Sequence, residues 1–186
     1  MTTLRPLSVL LFAVLIVFGC GGSAPTEQAS EAPASEAPAA NQPESVAAVF
    51  NHYEEARALL AADKTEGLAA AAEAIGQSAN AAKADVNEDA AAHLGMAADE
   101  SAKLAAATEI EDARMAFGEV SRHLVQAVVA DASLATGRVA LHCPMAKGYQ
   151  HWIQTSETVS NPYMGTAMLE CGSPEKFDEA AAIATN

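Results

Sequence analysis

Between Ser45 and Leu134, apolar residues recur at intervals of three and four among alanines and polar residues. This spacing is typical of amphipathic helices, because it gathers the apolar side chains on one face. Interruptions of the pattern divide the region into four predicted helices. Their apolar faces comprise Val46, Val49, Phe50, Tyr53 and Leu60 in the first; Leu68, Ala72, Ile75, Ala79 and Ala82 in the second; Leu94, Ala98, Ser101 and Leu104 in the third; and Ile110, Phe117, Leu124 and Val128 in the fourth.

Residues that can begin a helix lie between the predicted helices in the sequence. Thr65 and Asn87 can cap the second and third helices, and Thr108 with Glu111 has the spacing of a capping box before the fourth. Because the connections are short, consecutive helices should lie antiparallel beside one another. The sequence predicts an all-α fold over residues 45–172, an up-and-down four-helix bundle with a C-terminal appendage that contains cysteine and methionine.

The composition changes after Gly137. Arg138–His142 has the pattern of a short strand. The residues that follow contain the only tryptophan, three of the six methionines and two of the three cysteines. Asn161 and Gly172 are suited to the start and the end of a helical turn. The appendage is therefore predicted as a short strand and a helical turn, followed by an acidic tail over residues 173–186 that is either a short helix or frayed.

The first 19 residues have the pattern of an export signal. A single basic residue, Arg5, precedes an apolar run from Leu7 to Phe18, and small residues follow the run. This run is too short to cross a bilayer comfortably as a permanent helix, and no basic cluster follows it. We therefore predict that the chain is exported.

The end of this signal predicts a lipid anchor. Val17–Cys20 resembles the bacterial lipobox, in which cleavage precedes a cysteine that becomes lipid-modified. An ordinary secretory signal with a chance cysteine is the alternative. Gly21 resembles the residue found in lipoproteins that are sorted to the outer membrane. We expect lipidation at Cys20 and a chain anchored in the outer membrane, facing the periplasm.

Residues 20–44 are rich in alanine, proline, serine and glutamate and contain no large apolar side chain. A segment of this composition cannot bury a core, so it is predicted to be a disordered tether. The whole chain has 24 acidic and 10 basic residues, for a formal net charge of −14 at pH 7. A surface of this charge repels nucleic acid, which excludes nucleic-acid binding from the expected functions.

The appendage contains the side chains that are suited to binding a metal ion. A helical turn after Asn161 would place the sulfur atoms of Met164, Met168 and Cys171 on one face. An extended strand end would place those of Cys143 and Met145 on one face. Thiolates and thioethers select Cu(I) or Ag(I), whereas added imidazoles could complete such a site or favour zinc or Cu(II). The candidate ligands are Cys143, Met145, Met164, Met168 and Cys171, with His142 and His151 as auxiliary ligands.

A structural interpretation of the same residues stays open. In an oxidising compartment Cys143 and Cys171 can form a disulfide. This bond would close a loop of about 29 residues and stabilise the fold by roughly 3 to 4 kcal/mol. The methionines and Trp152 would then be packing residues. On this interpretation the chain is a structural or envelope-interaction lipoprotein, because a disulfide sulfur is a poor metal ligand.

The appendage also resembles a known family. The pattern Cys-Pro-Met, then Trp, then Asn-Pro-Tyr-x-Gly-x-x-Met-x-x-Cys-Gly, behind an alanine-rich helical stretch, resembles the domain of unknown function 3347 over roughly residues 46–172. Members occur as small exported proteins or lipoproteins, and as C-terminal extensions of periplasmic adaptors of copper and silver efflux pumps. The resemblance implies a metal-related role, with a metal-efflux component as a candidate partner, but this chain lacks an adaptor's hairpin and barrel regions.

Enzymatic signatures are weak. Ser121, His123 and Asp131 fall in one predicted helix, where offsets of two and eight residues scatter them around the axis. The sequence has no Gly-x-Ser-x-Gly turn and no glycine-rich phosphate loop. The prediction is a protein that is not an enzyme and that binds copper through the sulfur ligands for buffering or handover.

Overall fold

The computed structural model describes residues 42–182. The predicted signal peptide, Cys20 and the predicted tether up to residue 41 lie outside the described residues. Five helices are present in the described part of the chain: α1 (Glu44–Ala61), α2 (Leu68–Ala82), α3 (Glu88–Ala106), α4 (Ile110–Ala130) and α5 (Phe177–Ala182). Three strands accompany them: β1 (Val139–His142), β2 (His151–Gln154) and β3 (Ser173–Glu175).

The described part of the chain is mostly helical, as the sequence predicts, with a small sheet near its C-terminal end. Consecutive helices from α1 to α4 pack against one another, and α1 also contacts α4. Alanine occupies many buried positions, including Ala56, Ala72, Ala97 and Ala113, each fully buried. Because alanine has a short side chain, neighbouring helices can approach closely along these faces. No helix between residues 42 and 182 has the length and apolar character of a membrane span.

Helix starts were predicted correctly at one of three positions. The side chain of Asn87 accepts a hydrogen bond from the Ala90 amide at 2.9 Å, so the predicted cap of α3 is confirmed. The predicted cap at Thr65 is wrong, because α2 begins after Gly67, which has a left-handed backbone with φ 84°. The predicted capping box is also wrong, since Glu109 precedes α4 and makes no side-chain cap bond.

The sheet has the order β2-β1-β3, with both pairs antiparallel. The predicted strand at Arg138–His142 is confirmed as β1, whereas β2 and β3 were not predicted. All four residues of β2 are buried, so it lacks the alternation that identifies a half-buried strand. The residues from Ser173 to Ala182, predicted as part of an acidic tail, form β3 and α5.

Two tyrosines join this sheet to the helices. The hydroxyl of Tyr53 on α1 accepts a hydrogen bond from the Ile153 amide of β2 at 3.2 Å and lies 2.7 Å from the Ser121 hydroxyl of α4. The Tyr163 hydroxyl donates to the backbone carbonyl of His151 at 2.5 Å. Both tyrosine rings contact Phe117 of α4. These contacts fix the strands that bear the candidate ligands against the helical scaffold.

Candidate metal centre

The two predicted thiol ligands lie near each other. Cys143 directly follows β1, and its amide donates to the Gln150 carbonyl at 3.0 Å, which continues the pairing of β1 with β2. Its side chain is fully buried, whereas Cys171 is half-buried. Both are free thiols. The hydrogen bond between them favours the protonated form of Cys171 and, together with burial, raises its pKa to about 11.

Asn161 holds the backbone of Cys171 in this position. Its fully buried side chain donates to the Cys171 carbonyl at 2.5 Å and accepts from the amides of Tyr163 and Met164 at 2.8 and 3.1 Å. The backbone amide of Asn161 also donates to the Leu169 carbonyl at 2.8 Å. The loop from Asn161 to Gly172 therefore folds around one asparagine side chain.

The helical turn predicted over this loop is present only in a shortened form, and the shared face predicted for its sulfur atoms is wrong. Asn161 does cap the segment, but only a short 3-10 helix, Gly165–Ala167, follows. Gly165 has φ 58°, a left-handed conformation that interrupts a right-handed helix. Met164, Met168 and Cys171 consequently do not share a helix face: Met164 lines a cleft, Met168 is 38% exposed and Cys171 lies near Cys143.

The predicted shared face of Cys143 and Met145 is also wrong. Strand β1 ends at His142, and the Ala146 amide donates to the Cys143 carbonyl at 3.1 Å, which closes a turn. The turn leaves Met145 59% exposed while Cys143 is fully buried. A strand end that continued as far as Met145 would have kept the two sulfur atoms on one side.

A cleft of about 350 Å³ is lined by the thioethers of methionines and by neither of the two thiols. Met145 and Met164 line it, together with Met115 of α4, which the sequence did not identify as a candidate ligand. Met115 belongs to a helix with a regular apolar face, so nothing in its local sequence distinguishes it. The remaining lining residues include two cations and two carboxylates: Asp63, Glu111, Arg114 and Lys147.

The two predicted auxiliary histidines form a separate cluster. The rings of His142 and His151 stack with centroids 4.5 Å apart, and Nε2 of His151 lies 2.5 Å from a carboxylate oxygen of Glu175. One ligand atom from each of these three residues lies within 4.8 Å of the other two. The sequence did not identify Glu175 as a ligand. It falls in the segment predicted as an acidic tail, where no metal-binding motif sets one acidic residue apart from the others.

The sheet separates these histidines from the thiols. His142 pairs with His151 of the neighbouring strand β2. Glu175, on the other neighbouring strand β3, pairs with Ala140, two residues before His142. Because side chains alternate along a strand, these three residues share one face and Cys143 points to the other. Sequence proximity of His142 and Cys143 therefore does not place them in one ligand set.

Asp63 anchors the loop that carries Met164 and Cys171. Its carboxylate accepts hydrogen bonds from both the amide and the hydroxyl of Thr166, and pairs with Arg114 at 2.5 Å. These bonds, with those from Thr166 the stronger influence, lower the pKa of Asp63 to about 2. The residue follows α1 with φ 57°, a conformation that aspartate and asparagine tolerate better than most residues.

We expect Asp63→Asn to lower the free energy of unfolding by about 1 kcal/mol at pH 7, a modest value because the side chain is 41% exposed and solvent screens its interactions. A carboxylate whose pKa is lower in the folded state stabilises the fold above its unfolded pKa of about 4. That stabilisation disappears as the pH falls towards 2. Urea unfolding of both proteins should therefore show a difference at pH 7 that vanishes near pH 2.

Asp99→Asn, which removes an exposed carboxylate of α3, is the control for the change in net charge. It should leave the unfolding free energy at pH 7 within about 0.5 kcal/mol of the unmodified chain. An equal loss in both variants would show that the effect at Asp63 is not specific to its contacts with Thr166 and Arg114.

Comparisons of the chain with protein-family models, with curated proteins and with solved structures find no match. The interpretation of the site therefore depends on its geometry and on the motif described above.

Proposed function

We propose that this protein is a lipid-anchored module that faces the periplasm and binds Cu(I) or Ag(I) between Cys143 and Cys171, for buffering or handover and without catalysis. The observation that carries this proposal is that the two thiols lie near enough to influence each other's protonation. Two adjacent thiolates form a soft donor pair, which favours Cu(I) and Ag(I) over hard cations. The anchor in this proposal is Cys20, at the end of the lipobox-like sequence.

Metal binding at this pair would displace protons. The thiolate is the metal ligand, and the pKa of Cys171 is raised to about 11, so at neutral pH its thiol proton must leave when the ion enters. Binding should consequently tighten as the pH rises. The buried position of Cys143 also shields the ion from water, which would help to keep copper in its reduced state.

The thioethers of the cleft are a second set of soft ligands in this proposal, apart from the cysteines, which do not line the cleft. Met145 and Met164 are partly accessible and face the same cavity, and Tyr163, which joins the loop to β2, lines it as well. We propose that these uncharged ligands bind the ion more weakly than the thiol pair does, as a transfer position requires. Met168 is exposed and contributes less on this proposal.

The scaffold and the motif agree with this proposal. The packing of α1 to α4 in sequence order, with α1 also in contact with α4, supports an up-and-down four-helix bundle that presents the sheet and its loop. Membership of the domain of unknown function 3347 is part of the proposal. It makes a metal-efflux component a candidate partner, since domains of that family extend efflux adaptors.

The test is a Cu(I) titration of the reduced protein against a chromophoric Cu(I) chelator under anaerobic conditions. We expect one equivalent of Cu(I) per chain to be retained. Cys143→Ser with Cys171→Ser should abolish this retention, and Met145→Leu with Met164→Leu should weaken it by about tenfold, the loss of roughly 1.4 kcal/mol of binding free energy.

Met96→Leu is the matched control, because Met96 is a 46% exposed methionine on α3. It should leave Cu(I) retention unchanged. Retention of a full equivalent by the double serine variant would refute the proposal.

The alternative function is a structural or envelope-interaction lipoprotein with a disulfide between Cys143 and Cys171. The same proximity supports it, because two adjacent thiols can be joined without a large backbone movement. Mass spectrometry of the protein isolated from the periplasm distinguishes the two functions. A persistent loss of two hydrogens, with no Cu(I) uptake after mild reduction, would support the disulfide.

A further inference from the structure

The face of the sheet opposite the thiols carries one ligand-type side chain on each of its three strands. His151 comes from β2, His142 from the central strand β1 and Glu175 from β3. The imidazole of His151 is fully buried, and the carboxylate of Glu175 is 21% exposed. The cluster is therefore held by sheet pairing and is open to solvent at its Glu175 side.

Several polar atoms of this cluster have no hydrogen bond. Both ring nitrogens of His151 and Oε2 of Glu175 are buried and lack a hydrogen-bond partner. Nε2 of His151 and Oε2 of Glu175 are 2.5 Å apart, the distance of an ion pair when the imidazole is protonated. Buried polar groups are normally satisfied, because leaving one without a partner costs about 1 to 3 kcal/mol. Nδ1 of His151 has neither a hydrogen bond nor an ion pair, so one fully buried ring of the cluster has an unsatisfied nitrogen beside two other ligand-type side chains.

We propose that His142, His151 and Glu175 form a second metal site, for Zn²⁺ or a similar borderline divalent cation, that is independent of the thiol pair. Two imidazoles and one carboxylate are a donor set that Zn²⁺ accepts. The same donors lack sulfur, so this site differs from the thiol pair in the ions that it prefers. A tetrahedral ion here would keep its fourth position for water or for an incoming ligand.

The spacing of the three side chains fits one ion. Bonds of about 2.0 to 2.2 Å in tetrahedral geometry separate neighbouring ligand atoms by about 3.4 Å. This distance is longer than the 2.5 Å between Nε2 of His151 and Oε2 of Glu175. It is shorter than 4.8 Å, the distance within which the ligand atoms of all three residues lie. Small rotations of the side chains would therefore reach it, and the strands need not move.

An ion pair between His151 and Glu175 explains the cluster less well. An ion pair uses only Nε2 of His151 and leaves its buried Nδ1 without a partner. An ion pair would also leave no role for His142, whose ring stacks on that of His151 at 4.5 Å.

The test is Zn²⁺ binding to the Cys143→Ser/Cys171→Ser variant, measured by calorimetry and by metal analysis after desalting. This variant has no thiols between residues 42 and 182, so Zn²⁺ uptake by this part of the chain does not depend on the thiol pair. We expect one Zn²⁺ per chain. Adding His151→Gln or Glu175→Gln should weaken binding by at least about 100-fold, since even the loss of an outer-shell partner costs 10- to 100-fold.

His93→Gln in the same background is the matched control. His93 and His123 form the other stacked histidine pair of the described chain, on α3 and α4, with centroids 6.2 Å apart. Zn²⁺ binding should survive this change. The proposal is wrong if the folded variant takes up no Zn²⁺, if uptake persists in Glu175→Gln, or if His93→Gln removes it.

A second measurement covers the case in which the serine variant does not fold. In the unmodified chain, nitrogen NMR of the imidazoles should show the signals of His142 and His151 shifting on addition of Zn²⁺, with those of His93 and His123 unchanged. Shifts confined to the latter pair, or none at all, would overturn the proposal. Because the Cu(I) titration reports on the thiols and these experiments report on the imidazoles, either proposal can fail without the other.

Discussion

Replacement of Gly165 by alanine is expected to lower the free energy of unfolding by about 2 kcal/mol, from the backbone conformation and the displaced ion pair. A Cβ at this position would overlap the carboxylate of Asp63 and the guanidinium of Arg114. The φ of 58° adds about 1 kcal/mol, because a residue with a side chain rarely adopts it. The ion pair that anchors the loop would have to open. Thermal unfolding should show a fall in Tm of about 10 °C.

Gly137→Ala separates the two causes. Gly137 has φ 72°, but a Cβ there would meet nothing within 4 Å. This variant should lose only the backbone contribution of about 1 kcal/mol. If both variants lose the same stability, the overlap with Asp63 and Arg114 carries no energy, and the close packing described for this loop is incorrect.

Asn161→Ala is expected to have an effect of similar size and a functional consequence. The change removes the partners of the Cys171 carbonyl and of the amides of Tyr163 and Met164. Each group left without a partner costs about 1 to 3 kcal/mol where it is buried. We therefore expect a loss of about 3 kcal/mol in urea unfolding, and a Cu(I) affinity at least tenfold weaker because Cys171 is no longer held beside Cys143.

Asn51→Ala, at an exposed position of α1, is the matched control and should change the unfolding free energy by less than about 0.5 kcal/mol. Unchanged stability and unchanged Cu(I) affinity in Asn161→Ala would contradict the positioning role of this side chain. Lower stability with full Cu(I) affinity would show that the thiol pair forms without help from Asn161.

Periodicity predicted the helices well because each buries a regular face. The apolar stripe of α4, for example, includes Phe117, Leu124 and Val128, and all three are buried in the structure. Cap residues were less informative: Asn87 caps α3, but Gly67 and not Thr65 precedes α2. Several residues near a helix start can serve as caps, and packing between helices selects among them.

The candidate site was predicted only in part, because its residues come together through long-range contacts. The buried Asn161 side chain bonds to the Cys171 carbonyl, ten residues away, and Gly165 lies where a Cβ would overlap Asp63. Local spacing could not reveal either contact, so the sequence predicted a helix in this loop. Glu175 joins the histidines only through the pairing of β3 with β1, which no local pattern indicated.

Strand β1 gives the protein two chemically different surfaces separated by one peptide unit. His142 lies on the face that carries His151 and Glu175, while Cys143, the next residue, lies on the side of Cys171. Because the side-chain period of a strand is two, a slip of β1 by one residue would exchange these faces. It would put the Cys143 sulfur among nitrogen ligands and the His142 imidazole against Cys171. Correct alignment of a single short ladder is therefore a shared requirement of both proposed sites, and a folding error there would disable them together.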